Sequence, residues 1–259
     1  MLNYLRAELY KLRHRKSFWI TLGVLLALEA LLVWGFTFVN AHGGHVYFDD
    51  CVLDIIPRML SVGGYFTILA GDMVFAGQYR NATLKNEVSF GLPRWRIYLG
   101  KLIAQLLAAI FLCFAMIGFY VAACRWFLPE GGIENAQVML LLAKSLLAAL
   151  PVWIGVQAMV CACFFTIRGG AASAITAILI FGALPQAMWL LAAMYGAYPF
   201  GLFLWQVREW MPTIMLDATP NYLLANYGVW LGKMCLTGGA WLVGSTALGL
   251  WVFGRREIN

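Results

Sequence analysis

The sequence is short of charge. Only 12% of its 259 residues are Asp, Glu, Lys or Arg, against roughly a quarter in a soluble domain. A water-soluble body of this length is excluded, because there is too little polar side chain to cover it. Disorder needs a polar, charged chain and is excluded on the same ground. Histidine is scarce: His14, His42 and His45 are the only three, and none falls in an apolar run, which excludes a haem held between two intramembrane histidines. The six cysteines lie mostly inside apolar runs, only Cys51 falling in a polar stretch, so no disulfide framework is implied. Cys161 and Cys163 point to different faces of a helix and have no second pair, so they read as packing rather than half a metal clamp.

Catalytic apparatus is also missing. A phosphate-binding loop needs Gly, four residues, then Gly-Lys-Ser/Thr. The nearest text, Gly228-Val229-Trp230-Leu231-Gly232-Lys233-Met234, is one residue short and lacks the hydroxyl. It reads instead as a small-xxx-small helix contact through Gly228 and Gly232. No nucleophile and base are paired in a pattern that suggests an intramembrane hydrolase. The chain is therefore read as no enzyme, with no catalytic residue, no metal site and no cofactor of its own.

What is present is oil: 63% of the residues are hydrophobic and 15% aromatic, with a mean hydropathy of +0.78. Sustained period-2 alternation, the mark of a membrane barrel, is nowhere found. An all-α integral membrane protein follows. A bilayer core needs about 20 apolar residues per helix, and the runs at about 18–39, 59–79, 102–124, 137–165, 171–195 and 226–253 give six transmembrane helices. Pro151 and Pro185 mark kinks in the fourth and fifth, tolerable where neighbours satisfy the freed carbonyl. The first run contains Glu29 and is longer than a signal-peptide core, so it is read as a retained span.

The net charge of +6 is a matter of orientation, not of nucleic-acid binding. Arg6, Lys11, Arg13, Arg15 and Lys16 precede the first span. Arg80, Lys85, Arg94, Arg96 and Lys101 lie between the second and third, with Arg168, Arg255 and Arg256 on the same side. Only Glu8, Glu87 and Glu257 oppose them there. On the other side Arg58, Arg125 and Arg208 face Asp49, Asp50, Asp54, Glu130, Glu134, Glu209 and Asp217. The positive-inside rule then places both termini in the cytoplasm.

Residues 1–17 carry Leu2, Leu5, Leu9 and Leu12 on one helical stripe, with Arg6, Glu8 and Arg13 displaced from it, which predicts an amphipathic elbow helix lying at the headgroups. The connection 80–101 predicts a second short helix: Asn81 or Thr83 as cap, Leu84, Val88 and Leu92 as an apolar edge, and Gly91 and Pro93 as its end. The Arg94-Trp95-Arg96 run marks the return to the interface. A solvated loop would have no use for Leu84, Val88, Phe90 and Leu92 together.

These residues carry a resemblance. Tyr79, Thr83, Leu84, Lys85, Asn86, Gly91, Arg94, Tyr98, Leu99, Lys101 and Leu102 match a pattern of the permease subunits of type-2 ABC exporters, in particular the bacitracin and lantibiotic self-protection branch. Gln78 stands where many members carry Glu, and Ala82 where Gly is usual. The resemblance extends loosely over the chain, through the basic elbow, the six spans and the tail Phe253-Gly254-Arg255-Arg256-Glu257-Ile258. It implies that a cytoplasmic coupling helix, with Asn81, Thr83, Leu84, Lys85, Asn86, Glu87, Val88, Phe90, Leu92 and Arg94, docks on an ATP-binding cassette ATPase, and that the turn at Arg168 makes a second contact. ATP and Mg would sit on that partner subunit. A second permease subunit, identical or related, completes the assembly in a bacterial plasma membrane. The resembling branch exports amphiphilic peptides or antibiotic-like molecules, hence antimicrobial resistance.

Four charges fall within predicted spans: Glu29, Asp72, Lys144 and Lys233. Each costs at least about 2.5–3.5 kcal/mol in hydrocarbon and must face protein, water or a counter-charge. They are candidates for the pathway or the dimer seam, Glu29 foremost because it lies near mid-span. Lys144 and Lys233 can also snorkel. The first external loop, with His42, His45, Asp49, Asp50 and Asp54, has no spacing that fixes a metal geometry and reads as solvated. The aromatic, proline-divided segment 196–225 predicts short interfacial or re-entrant helices. Two rival readings stay open: a proton-coupled secondary transporter working through Glu29 and Asp72, and a non-transporting membrane scaffold or sensor.

Overall fold

Apolar runs satisfy their backbone polar groups within themselves by coiling into helices, and no strand occurs among the described residues. The structure is a computed structural model and describes residues 2–80, 87, 89, 91–167, 169–196 and 198–255. In chain order the helices are α1 (Leu2–Arg13), α2 (Lys16–Ala41), α3 (Phe48–Arg58, including a π turn over Cys51–Ile55), α4 (Leu60–Arg80) and α5 (Arg94–Phe127). They continue with α6 (Asn135–Thr166), α7 (Gly170–Met194, with a π turn over Leu179–Ala183), α8 (Pro199–Glu209), α9 (Pro212–Ala218) and α10 (Tyr227–Arg255).

Five of them, α2, α5, α6, α7 and α10, are long and apolar enough to cross a membrane alone. The span expected at 59–79 is different. It qualifies only together with α3, from which it is bent by 59°, so the described residues offer five candidate crossings, or six if the bent pair is one. The break follows Pro57, which has no N–H to continue the helical ladder. At the break the Trp153 indole N–H donates to the Leu60 carbonyl over 3.0 Å.

Helix α6 is the centre of the bundle. In its most apolar stretch 61% of residues are buried, against 11% in α2. Helix α10 lies directly on it, because Gly238 brings its backbone under the Pro151 carbonyl and Gly155 faces Gly238 and Trp241. Within this chain the expected Gly228–Gly232 contact is not made: a side chain at either position would meet nothing within 4 Å among the described residues. The reason is phase. Gly238, Ser245 and Gly249 share one buried face of α10, and at 100° per residue the pair ten and six positions earlier falls elsewhere.

Both prolines are accommodated inside long helices. Pro185 deprives the Phe181 carbonyl, four residues earlier, of its donor. That oxygen accepts instead from the Thr213 hydroxyl at 2.9 Å and the Tyr65 hydroxyl at 3.4 Å. Thr213 arrives on α9, whose Met215 and Leu216 are in the core, with Leu216 against Gly64. Helix α8 does present exposed Phe200, Leu202, Phe203 and Trp205.

Two expectations for the first external loop are corrected. Cys51 and Asp49 are buried, because Phe48 N–H pairs with the Pro129 carbonyl and draws the start of α3 against the 128–131 turn, where Asp49 meets Gly131.

The start of α5 and the end of α10 sit together, Arg94 donating to the Phe253 and Gly254 carbonyls at 2.7 and 2.6 Å. The start of α2 meets the end of α4 through Arg15 and the Met73 carbonyl. Both described ends of the chain therefore lie at one end of the bundle, the end that carries the basic residues.

Candidate functional site

At the basic end the spans are stapled by rings. Phe75 of α4 packs on Phe164 and Phe165 of α6 with centroids 5.1 and 5.0 Å apart. Phe165 in turn meets Tyr98 of α5 at 4.8 Å and Phe253 of α10 at 4.7 Å. Beside this staple a lysine is buried among acids. Lys101, 0% exposed, holds its Nζ 3.4 Å from Glu8 Oε2 and 3.6 Å from Glu87 Oε1. Lys11 adds a second cation, 2.7 Å from Glu8 Oε1 and 3.8 Å from Glu87 Oε1. The Tyr4 hydroxyl donates to Glu87 Oε2 over 2.9 Å, and the Lys101 ammonium lies 5.7 Å from the Tyr4 ring centroid.

The amphipathic pattern of α1 explains how this forms. Tyr4, Leu5, Glu8, Leu9 and Leu12 share a helical face, and that face packs on the core, with Tyr4 filling the space that Gly100 leaves. Glu8 is therefore not displaced from the stripe, as its polarity suggests; it is 4% exposed within it. Two carboxylates beside two ammonium groups are formally neutral, which is what allows a lysine to stay buried. Burial, the charges of Glu8 and Glu87 and the bond to Glu87 all hold the Tyr4 phenol well above its usual range, so it stays neutral. The cluster ties α1, the connection at Glu87 and the start of α5 into one body.

Of the residues expected to form the coupling helix, Asn81, Thr83, Leu84, Lys85, Asn86, Val88 and Phe90 lie outside the described residues, as does Arg168. The three that are described turn toward the protein. Glu87, on helical backbone, joins the ion cluster. Leu92 packs on the core, after a turn that Gly91 makes with φ of 80°, a conformation natural only to glycine. Arg94 closes the C-terminal carbonyls of α10, where a cation is favoured, with the Phe253 ring 5.7 Å away.

The four intramembrane charges are not brought together. Asp72 is exposed near Gly170, at the basic end. Lys144 lies 5.6 Å from the Tyr227 ring centroid, and Lys233 is exposed. Glu29 lines a cavity of about 340 Å³ between α2, the α3–α4 bend, α5 and α6. Uncharged polar residues in the spans went unremarked in the sequence: Gln105 and Gln157 are fully buried and bonded to each other, and Gln157 also lines the cavity. Their signal was a lone amide in an otherwise apolar helix, which demands a partner. Among the described residues no three His, Cys, Asp or Glu side chains converge as metal ligands.

The described residues thus form a helical, multi-pass membrane protein whose basic end is tied by rings and ion pairs. The chain belongs to the family described as ABC-2 family transporter protein, whose model matches residues 4–185. A comparison with curated proteins gave no match.

Proposed function

We propose that this chain is the membrane-spanning permease half of an ATP-driven exporter. It pairs with a second permease subunit and with ABC ATPase subunits that carry ATP and Mg. The observation that supports this reading most is the family match, which runs unbroken from α1 through the connection between α4 and α5 into α7. Residues about 81–92 act as the coupling helix and α1 as the elbow, both on the cytoplasmic side of a bacterial plasma membrane. The ion cluster supports a mechanical role for that side: Glu87 belongs to the connection before α5, and Lys101 and Glu8 transmit its position to both α5 and α1. Closure of the ATPases moves the connection, and the tied helices follow. Substrates are amphiphilic peptides or antibiotic-like molecules drawn from the membrane, in the manner of the bacitracin and lantibiotic branch.

Co-purification tests the reading. The full-length permease, expressed with its genomic neighbours, is expected to retain an ATP-hydrolysing subunit, and Leu84→Asp or Val88→Asp is expected to release that subunit while leaving the spans folded. A permease that transports without any ATPase, and is blocked by an ionophore, would instead establish the proton-coupled alternative.

A further inference from the structure

The cavity beside Glu29 holds a carboxyl group with no counter-charge among its described lining residues. Its walls are Met59 and Phe66 from the bend and α4, Tyr120 from α5 and Trp153 from α6, with few polar atoms among them. Two polar groups break the apolar lining. Glu29 Oε2 is buried and has no hydrogen-bond partner among the described residues. Gln157 is 1% exposed; its Oε1 accepts from Gln105, and its Nε2 has no partner there either. The Tyr120 hydroxyl is directed to the Cys51 carbonyl, 3.5 Å away. No lysine, arginine or histidine is among the described lining residues.

An unpaired carboxyl group in such a place is stabilised most by a counter-charge brought in from outside. The volume limits what can bring it. Pockets of about 300–1,000 Å³ hold drug-sized ligands, so 340 Å³ admits one hydrocarbon body and excludes a whole peptide. A neutral acyl chain would fill the walls and leave Glu29 as it is. We infer that the cavity binds a lipophilic ammonium ion, with its charge on Glu29 and its hydrocarbon body along Phe66, Tyr120 and Trp153. The inference deepens the permease reading and rests on it only for the step from binding to transport.

The test uses the full chain without ATPase, in nanodiscs of zwitterionic lipid, with tritiated dodecylamine as probe. Saturable binding of one amine per chain is expected above the linear background of lipid partition. Glu29→Gln should weaken it at least about tenfold, with an unchanged melting temperature. Ala109→Trp, which fills the cavity from α5, should abolish it while Glu29 remains. Dodecanol should compete at least about tenfold more weakly than unlabelled dodecylamine. Equal competition by dodecanol would make the cavity an acyl-chain groove and overturn the inference, as would unaltered binding to Glu29→Gln or absence of a saturable component. Because no ATPase is present, these outcomes are independent of the co-purification that tests the permease assignment.

Discussion

Lys101 of α5 and Glu8 of α1 face each other across 3.4 Å, the lysine fully buried and the carboxylate side chain only 5% exposed. Ninety-three residues apart in sequence, they join the third apolar span to the N-terminal helix, and Glu87 from the intervening connection completes the contact at 3.6 Å. Removing Lys101 leaves two carboxylates in a largely dry site to share the one cation of Lys11.

Lys101→Met is therefore expected to cost about 3–5 kcal/mol, the usual penalty for breaking a buried pair from one side. Glu8→Gln should cost less, because Glu87 remains for Lys101 and the amide keeps the shape. Thermal unfolding of the detergent-solubilised protein measures both. The double variant Lys101→Met with Glu8→Met should recover part of the loss, since an apolar replacement leaves no stranded charge.

Alkaline pH acts on the same cluster through Tyr4. Its phenol is raised in the folded protein, whereas in the unfolded chain it ionises near about pH 10. Above that pH the unfolded state loses a proton that the folded state keeps. Stability contributed by Tyr4 is complete below pH 10 and falls above it, by at most about 1.4 kcal/mol per pH unit. Tyr4→Phe should remove that component of the slope, seen by comparing denaturation of the two proteins between pH 9 and 11. At neutral pH the same variant loses the bond to Glu87, at a cost of about 1–3 kcal/mol.

Helix α10 has glycines of two kinds. Gly238→Ala would press a methyl group into the Pro151 carbonyl of α6 and should destabilise by about 1–3 kcal/mol. Gly228→Ala and Gly232→Ala meet nothing and should be neutral or stabilising by about 0.5–1 kcal/mol through helix propensity. Melting temperatures of the three variants in one detergent decide the matter.

The Phe181 carbonyl offers a thermodynamic cycle. Thr213→Val removes its shorter hydrogen bond and should cost about 0.6–1.7 kcal/mol, the range found between helices in membranes. In a Pro185→Ala background the cost should shrink, because the substituted alanine supplies the N–H that proline lacks. A coupling energy near zero would show that Thr213 serves packing alone.

Much of the fold was legible because the bilayer imposes one-dimensional rules. Apolar length marks a crossing, Lys and Arg gather at one end, and proline and glycine punctuate, so α2, α5, α6, α7 and α10 appear in the sequence close to where they lie. The bend at Met59 was not legible, since the run 59–79 is apolar throughout and the break depends on Pro57 and on Trp153 arriving from α6. Nor was the burial of Met215 and Leu216, whose segment reads equally as interfacial or re-entrant.

The candidate site divides along the same line. Sequence alone determined that the chain spans a membrane, that it carries no phosphate-binding loop, and that the stretch between α4 and α5 is rich in basic residues and resembles a permease pattern. It singled out Glu29 because a charge among twenty apolar residues is costly wherever it points. Tertiary structure decided what each polar group meets. Glu8 and Glu87 are acids among cations in the sequence, and packing sets them against Lys101; Arg94 is brought to the end of α10; Gln105 and Gln157, which carry no charge, are buried against each other. The physical reason is that insertion cost depends on composition along one helix, whereas the pairing that offsets that cost depends on which faces of separate helices are brought into contact.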